Sequence, residues 1–279
     1  MQKRKTVADI VEMKKAGEKI TMLTAYDAAM ASMLAAADVD VLLVGDSLGM
    51  VLLGYDSTVP VTMDEMIHHA AAVRRGAAAA FVVGDMPFGS YQSGSRDAII
   101  NGGRFLKEAG CDAVKLEGGL EVCDTVTALV HAGISVIGHI GLTPQTATQL
   151  GGYKVQGRVI ESAGKMIEEA RGLEKAGVFA LVLECIPDEL GKIISEEIRI
   201  PTIGIGAGVH CDGQVLVTHD LLGMFDTTIP SFVKSYCNLA PTIKTAVTEY
   251  TSEVRSSTFP DKKHSFSGES DLRKLLGLT

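Results

Sequence analysis

Apolar residues gather along this chain in short blocks, several of which stop at a carboxylate. Val41-Leu-Leu-Val-Gly-Asp-Ser-Leu-Gly49 shows the pattern at its sharpest, a run of Val and Leu that breaks at Asp46. Such runs have the composition of strands buried on both faces of a parallel sheet. They predict strands over Ile20 to Tyr26, Val39 to Val44, Ala79 to Val83, Ala113 to Glu117, Ser135 to Ile140 and Ala180 to Glu184. A seventh lies in Pro201 to Gly208 with its turn, and an eighth over Gln214 to Thr218. Between them, alanine-rich or charged segments predict helices over Ala28 to Ala37, Thr62 to Arg75, Asp97 to Glu108, Val122 to Ala132 and Ser162 to Ala176. Thr62-Met-Asp-Glu65 reads as a capping box, and Pro187 suits the first turn of a further helix, where its missing N–H does no harm. Ahead of the first strand, Val7, Ile10, Val11 and Met13 make Thr6 to Lys15 a short amphipathic helix, placed to cap one end of the domain.

Eight buried strands alternating with helices match a (β/α)8 TIM barrel, whose functional groups collect at the C-terminal ends of the strands. Too few residues separate the seventh and eighth strands for a full crossover helix. An open doubly wound sheet would place a glycine-bearing phosphate loop after its first strand, and Thr24-Ala-Tyr-Asp27 contains no glycine. The expectation is one domain over 1–279. Its barrel core covers about 20–225, a C-terminal helical extension suited to assembly about 231–256, and a polar tail about 259–279 with a Leu-bearing segment at Leu272 to Leu278.

Composition adds limits rather than detail. The 279 residues suit one large α/β domain, and 30 glycines suit short turns between buried strands. A formal net charge of -8 argues against nucleic acid and for small-molecule partners. Cys111, Cys123, Cys185, Cys211 and Cys237 lack paired spacing and read as reduced thiols, so the protein is expected in the cytoplasm. The basic start, Met1 to Lys5, is not followed by the apolar segment of a signal peptide, and no run approaches a membrane span, so no membrane partner is expected.

Asp46, Asp85, Glu117 and Glu184 hold equivalent places, each at or just beyond the end of an apolar strand. One such acid is an ordinary turn former. Four at one mouth would repel each other unless they share a cation, and hard ions such as Mg2+ take oxygen ligands of this kind. Lys115 and Glu117 point to the same side of their strand, which suits an anionic, metal-bound substrate or, alternatively, a structural ion pair closing the barrel top. His139 is placed to donate to a ligand or to satisfy a buried carbonyl. The Gly204-Ile-Gly-Ala-Gly208 run can cradle a phosphate or let a ligand approach the backbone. The connection from Thr143 to Arg158 has the mixed polarity of a lid or of a plain surface loop.

Taken together, Leu23-Thr-Ala-Tyr-Asp27, Val44-Gly-Asp-Ser-Leu-Gly49, Gly84-Asp-Met-Pro-Phe88, Val114-Lys-Leu-Glu-Gly118, Gly138-His139, Gly151-Gly-Tyr-Lys-Val-Gln-Gly-Arg158, Leu183-Glu-Cys185 and Gly204-Ile-Gly-Ala-Gly208 resemble the 3-methyl-2-oxobutanoate (ketopantoate) hydroxymethyltransferase family. The likeness runs in order from about Leu23 to Phe266. It implies a metal-dependent barrel that moves a one-carbon unit from 5,10-methylenetetrahydrofolate, its co-substrate, to 3-methyl-2-oxobutanoate through a Mg-stabilised enolate. The product would be 2-dehydropantoate, on the route to pantothenate. The resemblance also implies a cytoplasmic homo-oligomer, a decamer. Carried over by motif, Asp46 and Asp85 hold Mg2+ with Glu117 in its surroundings. Ser47 and Lys115 bind the oxo acid, alongside the metal-holding Asp46 and Asp85; Glu184 is the proton acceptor, and His139 joins the site without an assigned role. Two other readings compete: a Mg-dependent 2-oxo acid lyase of the phosphoenolpyruvate mutase and isocitrate lyase type, whose Lys-Lys-Cys-Gly-His motif is missing here, and a non-catalytic acid-binding barrel.

Overall fold

The computed structural model describes residues 4–225, 230–268 and 272–278, so Met1 to Lys3 of the basic start and 269–271 and 279 of the tail lie outside the described residues. The described residues fall into two compact units, one within Met1–Thr218 with Pro230–Lys234 and one within His219–Ile229 with Ser235–Thr279.

The first unit is a closed barrel of eight parallel strands in sequence order. The strands are β1 (Ile20–Thr24), β2 (Val41–Val44), β3 (Phe81–Asp85), β4 (Ala113–Glu117), β5 (Val136–Gly141), β6 (Ala180–Glu184), β7 (Thr202–Ile205) and β8 (Gly213–Leu216). β8 pairs back onto β1, so the sheet has no open edge. Helices α1 (Val7–Ala16), α2 (Ala28–Ala36), α3 (Leu48–Val51), α4 (Met63–Gly76), α5 (Ser95–Lys107), α6 (Cys123–His131), α7 (Ile160–Ala176) and α8 (Asp188–Glu197) belong to it. β7 and β8 are joined without a helix, as their spacing predicts.

Alternation along the strands sorts their side chains into two cores. Inward residues such as Val41, Leu43, Val83, Ala113, Ile137, Val182 and Ile203 fill the barrel, while outward ones such as Leu42, Val82, Val114, Leu181 and Leu183 pack beneath the helices. At about 1.5–3 kcal/mol for each fully buried aliphatic side chain, these two layers dominate the stabilisation. α1 closes the N-terminal end, with Ile10 in the inner core and Lys14 bonded to the carbonyls of Ser195, Ile198 and Ile200. The Thr62 capping box forms: Thr62 N–H donates to Glu65 Oε2 at 2.7 Å, and Glu65 N–H donates to Thr62 Oγ1 at 3.2 Å.

The third strand begins at Phe81 rather than Ala79. Arg74 donates to the carbonyls of Ala78 and Ala80, holding the alanines in the turn that ends α4.

α9 (Thr218–Leu222) carries His219 and Asp220 at its start; in the second unit α10 covers Leu239–Arg255 and α11 Leu272–Leu275. α10 starts later than the expected boundary near Ser231. Pro241 explains this, because proline is accommodated in a first turn but not inside a helix. Ile243, Val247, Tyr250 and Val254 are exposed on α10 at spacings that put them on one face.

Candidate active site

The C-terminal ends of β2 to β6 converge on one polar mouth. Asp85 ends β3, Lys115 and Glu117 share β4, His139 lies in β5 and Glu184 ends β6. All five follow the inward parity of their strands, so they stand directly above the inner apolar core. Register brings them together in pairs, Asp85 beside Lys115 and Glu117 beside His139. Asp46 follows the end of β2 after Gly45, and its N–H donates to Asp85 Oδ2 at 3.2 Å.

Asp46, Asp85, Lys115, Glu117 and His139 are each at most 4% exposed, and the Glu184 side chain is 15% exposed. The buried Lys115 ammonium lies 2.8 Å from Asp85 Oδ1 and 4.0 Å from Glu117 Oε1. Its other neighbour is His139 Nδ1 at 3.2 Å. An ammonium only donates, so Nδ1 accepts and the ring proton resides on Nε2. That nitrogen is 3.2 Å from Glu184 Oε2, though out of line for a formed hydrogen bond. Ser47 is half-buried, with its Oγ 2.9 Å from Tyr26 Oη.

Four carboxyls therefore face one ammonium. Burial, with the charge of Asp85 added, pushes the Asp46 carboxyl up to about 7, and burial likewise holds Glu117 well above the usual carboxylate range. Burial lowers the pKa of His139, and the charge of Lys115 lowers it further, which keeps the ring neutral. Lys115 itself loses some basicity to burial but gains more from Asp85, Glu117 and Asp46, so it stays charged.

Among the described residues, no three His, Cys, Asp or Glu side chains converge as a metal-ligand group. Mg2+ does not need one, since it is commonly held by one or two carboxylates together with water and substrate oxygens. Asp46 and Asp85 supply two hard oxygen donors in a mouth short of positive charge, so the donor set fits that ion.

Two residues of this mouth carry no acidic signal in the sequence, Gln145 and Tyr91. Gln145 lies in the 3-10 turn Pro144–Thr146 after β5 and is 4% exposed. Its side-chain amide donates to Asp46 Oδ2 and to the Met86 carbonyl, both at 2.9 Å, and its backbone N–H donates to Glu117 Oε2 at 3.0 Å. Tyr91 Oη lies 2.9 Å from Gln145 Oε1 and accepts from Glu117 N–H at 3.2 Å. The only sequence signal for either is a polar side chain in a loop that follows a strand end.

The chain enters that turn through Gly141. It has φ +98°, and a Cβ there would lie 2.2 Å from the Glu184 carbonyl oxygen, so only glycine fits. Cys185, next to Glu184, takes a left-handed backbone at φ +48°, a strain of about 1–3 kcal/mol for a residue other than glycine. The glycines after β7 are used in packing: a Cβ on Gly208 would lie 2.5 Å from Asp188 Cβ.

A family model described as ketopantoate hydroxymethyltransferase matches residues 4–262. The chain belongs to this family. Proteins named 3-methyl-2-oxobutanoate hydroxymethyltransferase resemble it over nearly their whole length. That of Desulfotalea psychrophila is 61% identical, covering 98% of both chains, and that of Carboxydothermus hydrogenoformans is 58% identical, covering 94% of this chain and 95% of the relative. Among solved structures, phosphoenolpyruvate phosphomutase from Streptomyces platensis subsp. rosaceus aligns with a TM-score of 0.61 at 14% identity, covering 98% of this chain and 96% of that one. Phosphonopyruvate hydrolase in complex with oxalate and Mg2+ aligns at 0.60 and 11% identity, covering 98% and 95%. At such identity these are likenesses of fold alone. The chain is thus an enzyme of the hydroxymethyltransferase family on a (β/α)8 barrel shared with the phosphoenolpyruvate mutase and isocitrate lyase group.

Proposed function

We propose that this enzyme transfers the one-carbon unit of 5,10-methylenetetrahydrofolate to 3-methyl-2-oxobutanoate, giving 2-dehydropantoate for pantothenate synthesis. The observation that carries the reading is the placement of Glu184, a partly exposed carboxylate beside a neutral His139 and next to the buried Lys115–Asp85 pair. Family membership supplies the substrate names.

In this reading Lys115 provides the counter-charge for the carboxylate of the oxo acid, and the Ser47 hydroxyl, in contact with Tyr26, donates to a substrate oxygen. Asp46 and Asp85 would hold Mg2+, with Glu117 behind them, and the bound ion would act as a Lewis acid toward the keto group. Glu184 removes the C3 proton, and His139 Nε2–H steadies its carboxylate before the transfer. The electron pair left at C3 forms the new carbon–carbon bond to the folate methylene carbon, whose two carbon–nitrogen bonds break over the reaction. One water supplies the hydroxyl oxygen. The proton from C3 together with those of the water end on the two folate nitrogens and the new hydroxyl, so tetrahydrofolate leaves. The inward strand parity of Asp85, Lys115, Glu117, His139 and Glu184 sets them over a dry core, where each charge interaction is stronger than in water.

The same reading makes the protein a cytoplasmic homo-oligomer, a decamer. The exposed apolar face of α10 supports assembly, and no helix among the described residues is long and apolar enough to cross a membrane. The test is direct. Purified protein is incubated with 3-methyl-2-oxobutanoate, methylenetetrahydrofolate and Mg2+ and followed for 2-dehydropantoate; no product with any ion supplied would refute the assignment.

A further inference from the structure

The polar network beneath the mouth is built around an amide. Gln145 is the first buried polar side chain of the Thr143 to Arg158 connection, and it touches both sides of the acid cluster: Asp46 through its side chain and Glu117 through its backbone. Its amide orientation is fixed by its partners. Nε2 faces two acceptors, Asp46 Oδ2 and the Met86 carbonyl, while Oε1 lies 2.9 Å from the Tyr91 hydroxyl and 3.4 Å from Gln92 Nε2. A flipped amide would set an oxygen against two acceptors. Only a side chain with two donors and an acceptor can meet this set; a Glu would add a fifth acid, and an apolar residue would leave the Met86 carbonyl and Asp46 without their donors.

We propose that Gln145 is a positioning residue for the transfer reaction: it ties one oxygen of Asp46 and one of Glu117, so the acids reach their working arrangement only when the root of this connection is docked. The inference rests on the proposed function for the identity of the ligands. Tying Oδ2 of Asp46 fixes the rotation of that carboxylate and hence the direction of its other oxygen, as hydrogen-bond partners behind a metal-holding carboxylate do. Tyr91 acts one step further back: its one hydroxyl proton is shared between Gln145 Oε1 at 2.9 Å and the Glu117 carbonyl at 3.0 Å, while its oxygen accepts from the Glu117 N–H.

The test uses Gln145→Met, which keeps volume and removes the donors, and Tyr91→Phe, the milder variant. Binding of Mg2+ is measured by calorimetry on the metal-free protein, and binding of 3-methyl-2-oxobutanoate on the Mg2+-saturated protein, both without folate and well below the melting temperature of each variant. Gln145→Met should weaken both by roughly tenfold, the scale of losing a hydrogen bond to a charged group. Tyr91→Phe should move them the same way by less, and the double variant should lose less than the product of the two. In turnover, KM should rise more than kcat falls. A Gln145→Met protein that melts earlier yet binds both ligands with wild-type affinity would overturn the proposal, leaving Gln145 a packing residue. Because the titrations need no turnover, a wild type that binds but makes no product refutes the proposed function alone.

Discussion

Nε2 of His139 lies 3.2 Å from Oε2 of Glu184, and its proton is placed there from the far side of the ring, where Lys115 occupies Nδ1 at 3.2 Å. In the proposed mechanism the lysine thereby serves the base as well as the substrate. Replacing His139 with Ala should lower kcat by about 10- to 100-fold, the scale of one hydrogen bond to a charged group that comes into line only once the oxo acid is bound, with Mg2+ affinity little changed. Steady-state kinetics beside a metal titration check this; a variant that loses metal binding instead would place His139 in the ligand sphere.

Lys115 and Asp85 form a buried pair, and removing one partner of such a pair leaves a bare charge. Lys115→Ala should raise the Kd for 3-methyl-2-oxobutanoate by about 10²-fold or more, the scale of truncating one partner of a buried charge pair. If calorimetry shows normal binding in a variant that unfolds more easily, the pair is structural.

Asp46 gives a pH prediction. With its folded pKa raised from 3.8 to about 7, the native state binds a proton that the unfolded chain has released, so its contribution to stability falls as pH rises through that window. Asp46→Asn cannot lose this proton. In metal-free protein the variant should melt higher than wild type, with a gap that widens from pH 5 to 7 and reaches roughly 3–6 °C above it. Differential scanning across pH reads the gap directly; a gap that shrinks with rising pH would contradict the assignment.

Chelation should abolish turnover and added Mg2+ should restore it, with Asp85→Ala resistant to rescue. Full activity after exhaustive chelation would remove the ion from the account.

How much of this was legible beforehand depended on residue type. β4 and β6 stop where the sequence predicts, because their apolar runs break at Glu117 and Glu184 with no alanine at that edge. At β3 the run Ala77 to Ala80 suits strand, helix and turn alike, and a long-range contact from Arg74 decides. The acids could be grouped because strand ends in a barrel share one mouth. Gln145 and Tyr91 could not, since they sit in loops without periodicity: Gln145 follows the turn that Gly141 makes over Glu184, and Tyr91 reaches it from the loop after β3.

The central claim is that Glu184 takes the C3 proton. Wild-type protein with Mg2+ should exchange that proton of 3-methyl-2-oxobutanoate for solvent deuterium without folate, followed by NMR. Glu184→Gln keeps the shape and loses the base, so it should bind Mg2+ and oxo acid nearly as well while exchange and product formation fall together by about 10²- to 10⁴-fold. Exchange at the wild-type rate in Glu184→Gln would contradict the account and move the base to another group, with His139 next in line.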